Sequence, residues 1–268
     1  MTAADGEATA SRADGVVDEL LGTVGYLRIT AADDPEAADR EWLRCADLLE
    51  RTDWLAELVR ESKPARGTDD DGVAMSLFMQ GYAFRIASAA IGAFVISGDV
   101  LDVDPATTSV ALGGHRPNAV RLDRPTLVTA GGDVAVLHDV LVEDHLAPLV
   151  DACRSATRIG ERLLWSNVAS SCAASFGAFV DPRPDGRDRL REIAEVFATT
   201  GRPELREAGR LVRLGDGPRW VWERTACCLY YQTDGALGAD GERRKCGDCS
   251  LFTAAERSAR YAELIGQD

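Results

Sequence analysis

Four of the chain's seven cysteines fall within 23 residues: Cys227 and Cys228 side by side, seventeen intervening residues, then Cys246-Gly247-Asp248-Cys249. No other feature constrains the fold as tightly. Four thiolates at close spacing match the demand of a tetrahedral metal ion or an iron–sulfur cluster for soft ligands, so the chain between the pairs must fold back on itself. Cys-x-x-Cys lets two sulfurs converge, and Gly247 relieves the turn between them. The adjacent pair is harder to place. Neighbouring side chains on a regular strand point to opposite faces, so Cys227 and Cys228 need a kink to serve one site. A structural zinc site usually has Cys-x-x-Cys at both ends, and the Cys-Cys pair departs from that. From cysteine chemistry alone, a zinc knot and an iron–sulfur centre both stay open. Four close thiols without a metal would invite oxidation. The scattered Cys45, Cys153 and Cys172 are expected in the core as small hydrophobes.

An odd cysteine count argues against a disulfide scaffold. Residues 1–15 are small, polar and acidic, with no basic start and no apolar run, so the expectation is a mobile tail on a cytoplasmic protein. A net charge of −14 disfavours binding to nucleic acid or anionic membrane surfaces. The most apolar stretch, Met75 to Ile96, carries Gln80, Arg85 and Ser88. A central arginine is costly in a bilayer, which predicts a buried helix and no integral membrane segment.

The remaining pattern predicts an α+β fold. Apolar residues at three- and four-residue steps from Trp42 to Val59 predict helix over 35–62, starting at Pro35 and breaking at Thr52–Asp53. A loop over 63–72 leads to a buried helix from Val73 to Ser97. Short β-branched segments at 99–103, 108–112, 118–122 and 126–129 predict a small antiparallel sheet. Asp133 is a candidate cap for the first of two long helices, 134–157 and 160–180. A further helix is expected over 185–199, strands over 210–214 and 218–225, and a last helix over 253–264. The divisions expected are a tail (1–15), helices plus sheet (16–132), and a helical region with the cysteine segment (133–268).

The Cys-Cys…Cys-x-x-Cys terminus resembles the siderophore-iron reductases of the FhuF type. Leu164-Trp165-Ser166-Asn167-Val168-Ala169 is similar to that family's Leu-Trp-Gly-Asn segment, and His145-Leu146-Ala147-Pro148-Leu149 to its His-x-x-Pro segment. The likeness spans roughly residues 70–260. It implies a [2Fe–2S] cluster on Cys227, Cys228, Cys246 and Cys249. It also implies a pocket shaped by Trp165 and Asn167, although packing is the plainer role for Trp165. His138 and His145, seven residues apart and so on one helical face, are candidates to hold iron transiently or contact the chelate, with structural roles as the plainer reading. One departure is the spacing: the family usually has roughly ten residues between the cysteine pairs. The longer loop here is polar and glycine-rich, and its extra closure entropy is only roughly 0.5 kcal/mol.

The implied activity is one-electron reduction of a ferric siderophore. Oxygen chelators hold Fe(III) tightly and Fe(II) far more weakly, so one electron releases the metal. Gly235, Gly238 and Gly241 do not form a dinucleotide fingerprint, which points to an external donor such as ferredoxin with its reductase. Arg243, Arg244 and Lys245 abut Cys246; they are candidates for docking that donor or favouring the reduced state, with a solvated loop as the alternative. Trp220 and Trp222 share one face of the strand before Cys227, where core packing is the first expectation. The competing readings are a siderophore-binding or zinc-stapled scaffold without reductase activity, and an iron–sulfur redox sensor.

Overall fold

The computed structural model describes residues 3–31, 40–180, 182, 184–215 and 219–265. Helix α1 (Ala3–Thr23) occupies most of the stretch expected to be a mobile tail. The reason lies in Ala13, Val16, Val17 and Leu20, whose three- and four-residue spacing makes one buried stripe. Strand β1 (Ile29–Ala31) follows. The start expected at Pro35 lies outside the described residues.

Trp42–Arg44 forms strand β2, where the periodicity had suggested helix. It lies antiparallel to a later strand, with Leu43 opposite Val110, and Leu43 is buried between the half-buried Trp42 and Arg44. Long-range edge pairing here overrides the local pattern. Helices α2 (Cys45–Glu50) and α3 (Thr52–Glu61) are separated at Arg51, next to the expected break, and a single turn, α4 (Lys63–Arg66), lies within the expected loop. Helix α5 (Asp71–Ser97) is capped by the Asp70 carboxylate, which accepts from the Val73 N–H at 2.9 Å.

Four strands come next: β3 (Val100–Leu101), β4 (Thr108–Gly113), β5 (Arg116–Leu122) and β6 (Leu127–Val128). They do not make the single antiparallel sheet expected. One sheet has the order β1-β5-β4-β2 with β1 parallel to β5, and β3 pairs with β6 separately. The β4–β5 hairpin turns through Gly114 and His115, both with positive φ, as a two-residue turn with the right twist requires.

Asp133 caps α6 (Val134–Leu137) through the Ala135 N–H at 2.9 Å, as expected. The helix then widens into a π-helical stretch, His138–Leu146, before returning as α7 (Ala147–Ala156). Helices α8 (Glu161–Gly177), α9 (Arg187–Thr199) and α10 (Pro203–Arg206) lead to the β7 (Gly209–Arg213)–β8 (Trp220–Arg224) hairpin, and α11 (Ala254–Ile265) comes last. A Thr253–Glu256 capping box starts α11: the Thr253 N–H donates to Glu256 at 2.7 Å and the Glu256 N–H to Thr253 at 3.2 Å.

Helices α5 and α8 form the centre of the molecule. Their Ser and Ala residues allow close approach, and hydroxyls cross the seam, as in Ser88–Ser175 at 3.0 Å. Among the described residues, α5 is one helix long and apolar enough to cross a membrane, but 67% of its apolar window is buried inside the protein. Buried side chains from Val16 to Trp222 belong to one hydrophobic core.

Candidate metal centre

Strand β8 delivers the first cysteine pair. After Arg224 the chain leaves the ladder, and Ser166 of α8 catches it: its hydroxyl accepts from the Ala226 N–H at 3.3 Å and donates to the Ala226 carbonyl at 3.1 Å. The chain turns sharply just after the pair, at Leu229, whose φ of 65° is left-handed. It turns the Leu229 N–H back onto Cys227 Sγ at 3.3 Å. The Cys228 carbonyl is held from below by the Ser76 hydroxyl of α5, at 2.7 Å.

Two 3₁₀ turns, 230–232 and 234–236, begin the return, and a bridge between Leu237 and Arg243 closes it. The second pair then sits on a tight turn, with the Cys249 N–H donating to the Cys246 carbonyl at 3.3 Å. Sulfurs from the two pairs meet: Cys228 Sγ and Cys246 Sγ are 3.4 Å apart. Cys228 and Cys249 are buried, whereas Cys227 and Cys246 are partly exposed. Crowding splits their acidities. Hydrogen bonds from the Cys227 and Cys246 thiols, with the Arg224 charge beyond them, pull the Cys228 pKa far down. The same bonds to Cys228 push Cys227 and Cys246 up, with burial adding to it.

Beneath the sulfurs lies a buried polar network. Asn167 of α8 donates from Nδ2 to the Ser76 carbonyl and hydroxyl, both at 2.9 Å, and its Oδ1 accepts from Arg224 Nη2. Arg224 Nε donates to Ser166 Oγ at 3.3 Å, and Nη1 stands 3.7 Å from Asp248 Oδ1. Asp248 in turn accepts from the Ser170 hydroxyl and lies 3.5 Å from Cys246 Sγ.

A cleft of about 400 Å³ opens beside Cys246 and Cys249, walled by Trp220, Trp222, Phe252, Arg257, Arg260 and Tyr261. Glu223 fixes α11 over it: the carboxylate accepts from Tyr261 at 2.5 Å, Arg210 at 2.7 Å and Arg257 at 3.1 Å. Burial opposes ionisation of Glu223, but these three donors hold its pKa below the usual carboxylate value. Arg260 lies 6.0 Å from the Phe252 ring centroid and pairs with no carboxylate among the described residues.

Of the residues singled out in the sequence, the four cysteines and Asn167 come together. Trp220 and Trp222 join them as cleft walls, beyond the packing role expected. His145 does not. It is fully buried, donating from Nδ1 to the Val103 carbonyl and accepting at Nε2 from Tyr82 at 2.7 Å. His138 instead stacks on Phe197, with ring centroids 4.2 Å apart. Trp165 is buried under the Arg202 guanidinium, 5.1 Å away, and borders a separate cleft with Glu161 and Glu204. Arg243 braces the loop through the Tyr231 and Thr233 carbonyls, both at 3.0 Å, and Lys245 binds Glu256 at 2.6 Å. Arg244 is exposed and pairs with Asp240 at 3.7 Å. Cys45, Cys153 and Cys172 are buried, with their thiol pKa values pushed up by burial.

Sequence reasoning missed Ser76, Ser166, Ser170, Arg224 and Asp248. Position gave a signal for Ser166, inside the Leu-Trp-Ser-Asn segment, and for Asp248, within the cysteine motif, but not for Ser76, Ser170 or Arg224. Among the described residues, no three His, Cys, Asp or Glu side chains converge on one ion-sized point. A two-iron cluster asks for less: it divides four thiolates between its irons, so two converging pairs suffice. The donor set here, all sulfur and spread around the close Cys228–Cys246 contact, fits that group.

A search among curated proteins returned no match. The family described as "Ferric iron reductase FhuF-like transporter" matches residues 76–216. That region holds most of α5, all of α8, and the Ser76, Ser166 and Asn167 side chains under the cysteines; it ends before Cys227. The match covers more than half of the 268 residues, and the chain belongs to the FhuF-like ferric iron reductase family.

Proposed function

We propose that the protein is a cytoplasmic ferric-siderophore reductase whose four cysteines, Cys227, Cys228, Cys246 and Cys249, hold a [2Fe–2S] cluster. The observation that carries this reading is the meeting of Cys228 and Cys246 sulfurs, 3.4 Å apart, at the edge of an open cleft. When bound, such a cluster supplies one electron at a time, the step that turns tightly chelated Fe(III) into weakly held Fe(II). The cleft is of a size that admits a small chelate. Trp220, Trp222 and Phe252 offer it flat apolar walls, and Arg260 offers a positive charge to the anionic oxygens of a chelator. The electron comes from an external donor such as ferredoxin with its reductase.

Anaerobic purification with iron and sulfide analysis, followed by stopped-flow mixing of the reduced protein with a ferric hydroxamate, tests the proposal. The expected result is a coloured protein with iron and sulfide in equal amounts that the chelate reoxidises. A colourless, folded protein carrying stoichiometric zinc would overturn it. Reduction without reoxidation by any ferric chelate would leave a redox sensor in its place.

A further inference from the structure

Arg224 is the side chain whose environment is least explained by folding alone. Its side chain is 0% exposed, and its nearest carboxylate, Asp248, stands 3.7 Å from Nη1. That nitrogen donates no hydrogen bond. A buried guanidinium with a stretched ion pair and an orphaned N–H lacks full counter-charge from the side chains around it, and such a charge is costly unless compensated. Asp248 itself lies 3.5 Å from Cys246 Sγ, so the cysteine centre stands directly beyond this under-compensated cation.

Its other contacts reach both cysteine pairs. Nη2 holds Asn167, Asn167 holds Ser76, and Ser76 holds the Cys228 carbonyl; on the other side Asp248 belongs to the Cys246–Cys249 turn itself. One buried cation therefore ties the two cysteine segments to α5 and α8. Of the other cations near the motif, Lys245 is engaged with Glu256 and Arg243 with loop carbonyls, while Arg260 stands on the open cleft side and is not buried with the network.

We propose that Arg224 is the charge-compensating positioning residue of the cysteine centre: it fixes both cysteine pairs and favours the reduced state. This rests on the [2Fe–2S] reading. Four thiolates around such a core carry a net charge of about −2 oxidised and about −3 reduced, so uptake of one electron from the donor adds one negative charge to the centre. A fixed, buried cation lowers the free energy of that added charge more than an exposed one does.

The test is anaerobic spectroelectrochemical titration of the cluster-loaded full chain as wild type, Arg224→Gln, Arg224→Lys and Asp248→Asn. Arg224→Gln keeps an amide donor but removes the charge. Its reduction equilibrium constant is expected to fall at least tenfold, about 59 mV lower for one electron. Arg224→Lys keeps the charge and is expected to restore most of that loss. Asp248→Asn removes the opposing anion and is expected to shift the constant the other way. An unchanged potential in Arg224→Gln, or equal shifts in the Gln and Lys variants, would reduce Arg224 to a packing role and overturn the proposal. If Arg224→Gln fails to fold, Asp248→Asn decides alone: no upward shift overturns it. A wild-type protein that yields no iron–sulfur spectrum fails at the earlier step, so the two readings are separable.

Discussion

Replacing Asn167 by alanine removes a side chain that links α5, α8 and the strand entering the cysteine segment. Two neutral hydrogen bonds to Ser76 are lost, each 2.9 Å long in the native protein, together with the acceptor for the buried Arg224 Nη2. At about 1 kcal/mol for each neutral bond and about 2 kcal/mol for the charge-assisted one, the loss is about 4 kcal/mol. That is a large fraction of the roughly 5–15 kcal/mol that holds a domain together. Urea unfolding followed by tryptophan fluorescence, with iron content measured in parallel, reads both consequences. Asn167→Ala is expected to unfold at clearly lower urea with an unchanged m-value and to retain less iron. The same substitution in an Arg224→Met background is expected to cost far less, since the charge that needed a partner is gone. A stability within about 1 kcal/mol of wild type, with full iron content, would refute the network.

Two further outcomes follow from neighbouring geometry. Burial pulls the His145 pKa down to about 4. Below its unfolded value of about 6.5 the unfolded chain binds a proton that the native ring refuses, so stability falls from there down to pH about 4, by roughly 3 kcal/mol in full. In urea titrations at about pH 7 and about pH 4.5, His145→Gln is expected to lose less stability than wild type, and parallel losses would sink the assignment. Separately, iron-free protein treated with a thiol oxidant is expected to form the Cys228–Cys246 disulfide first, since those sulfurs already stand 3.4 Å apart against a bond of about 2.05 Å. Peptide mapping that finds Cys246–Cys249 instead would contradict that geometry.

The cysteine constellation was legible because its chemistry resides in residue identity and spacing. Its support was not. Arg224 ends a strand of alternating character and reads locally as one more surface charge, yet its partner Asn167 lies 57 positions away in sequence. Only the fold brings Ser76 within 2.7 Å of the Cys228 carbonyl. Strand β2 was missed for the same reason, since it is three residues long and exists through pairing with β4. The first helix was legible in part: Val16, Val17 and Leu20 carry the helical stripe, but the small polar residues before them hid its beginning. The two histidines show a failure of period. Seven residues place them on one face of an α-helix, but they occupy a π-helical stretch with a wider turn and separate partners, Phe197 for one and Tyr82 for the other.

The long loop between the cysteine pairs is where sequence and structure meet most usefully. Seventeen residues could have hung loosely over the centre, but they are anchored: the Asp234 N–H donates to the Gly67 carbonyl at 2.8 Å, and the Arg244 N–H to the Ala236 carbonyl at 2.7 Å. Gly67 has a φ of +63° and no Cβ, and a side chain there would collide with Asp234. The anchor therefore joins the return loop to the turn that precedes α5, the helix that supplies Ser76. The first cysteine pair is seated on α5 and α8 and the second on α8 through Ser170 and Asp248; these helices carry the family's matched region, while the cysteines themselves lie beyond it. A lengthened loop that is pinned in this way changes what covers the sulfurs without changing what holds them.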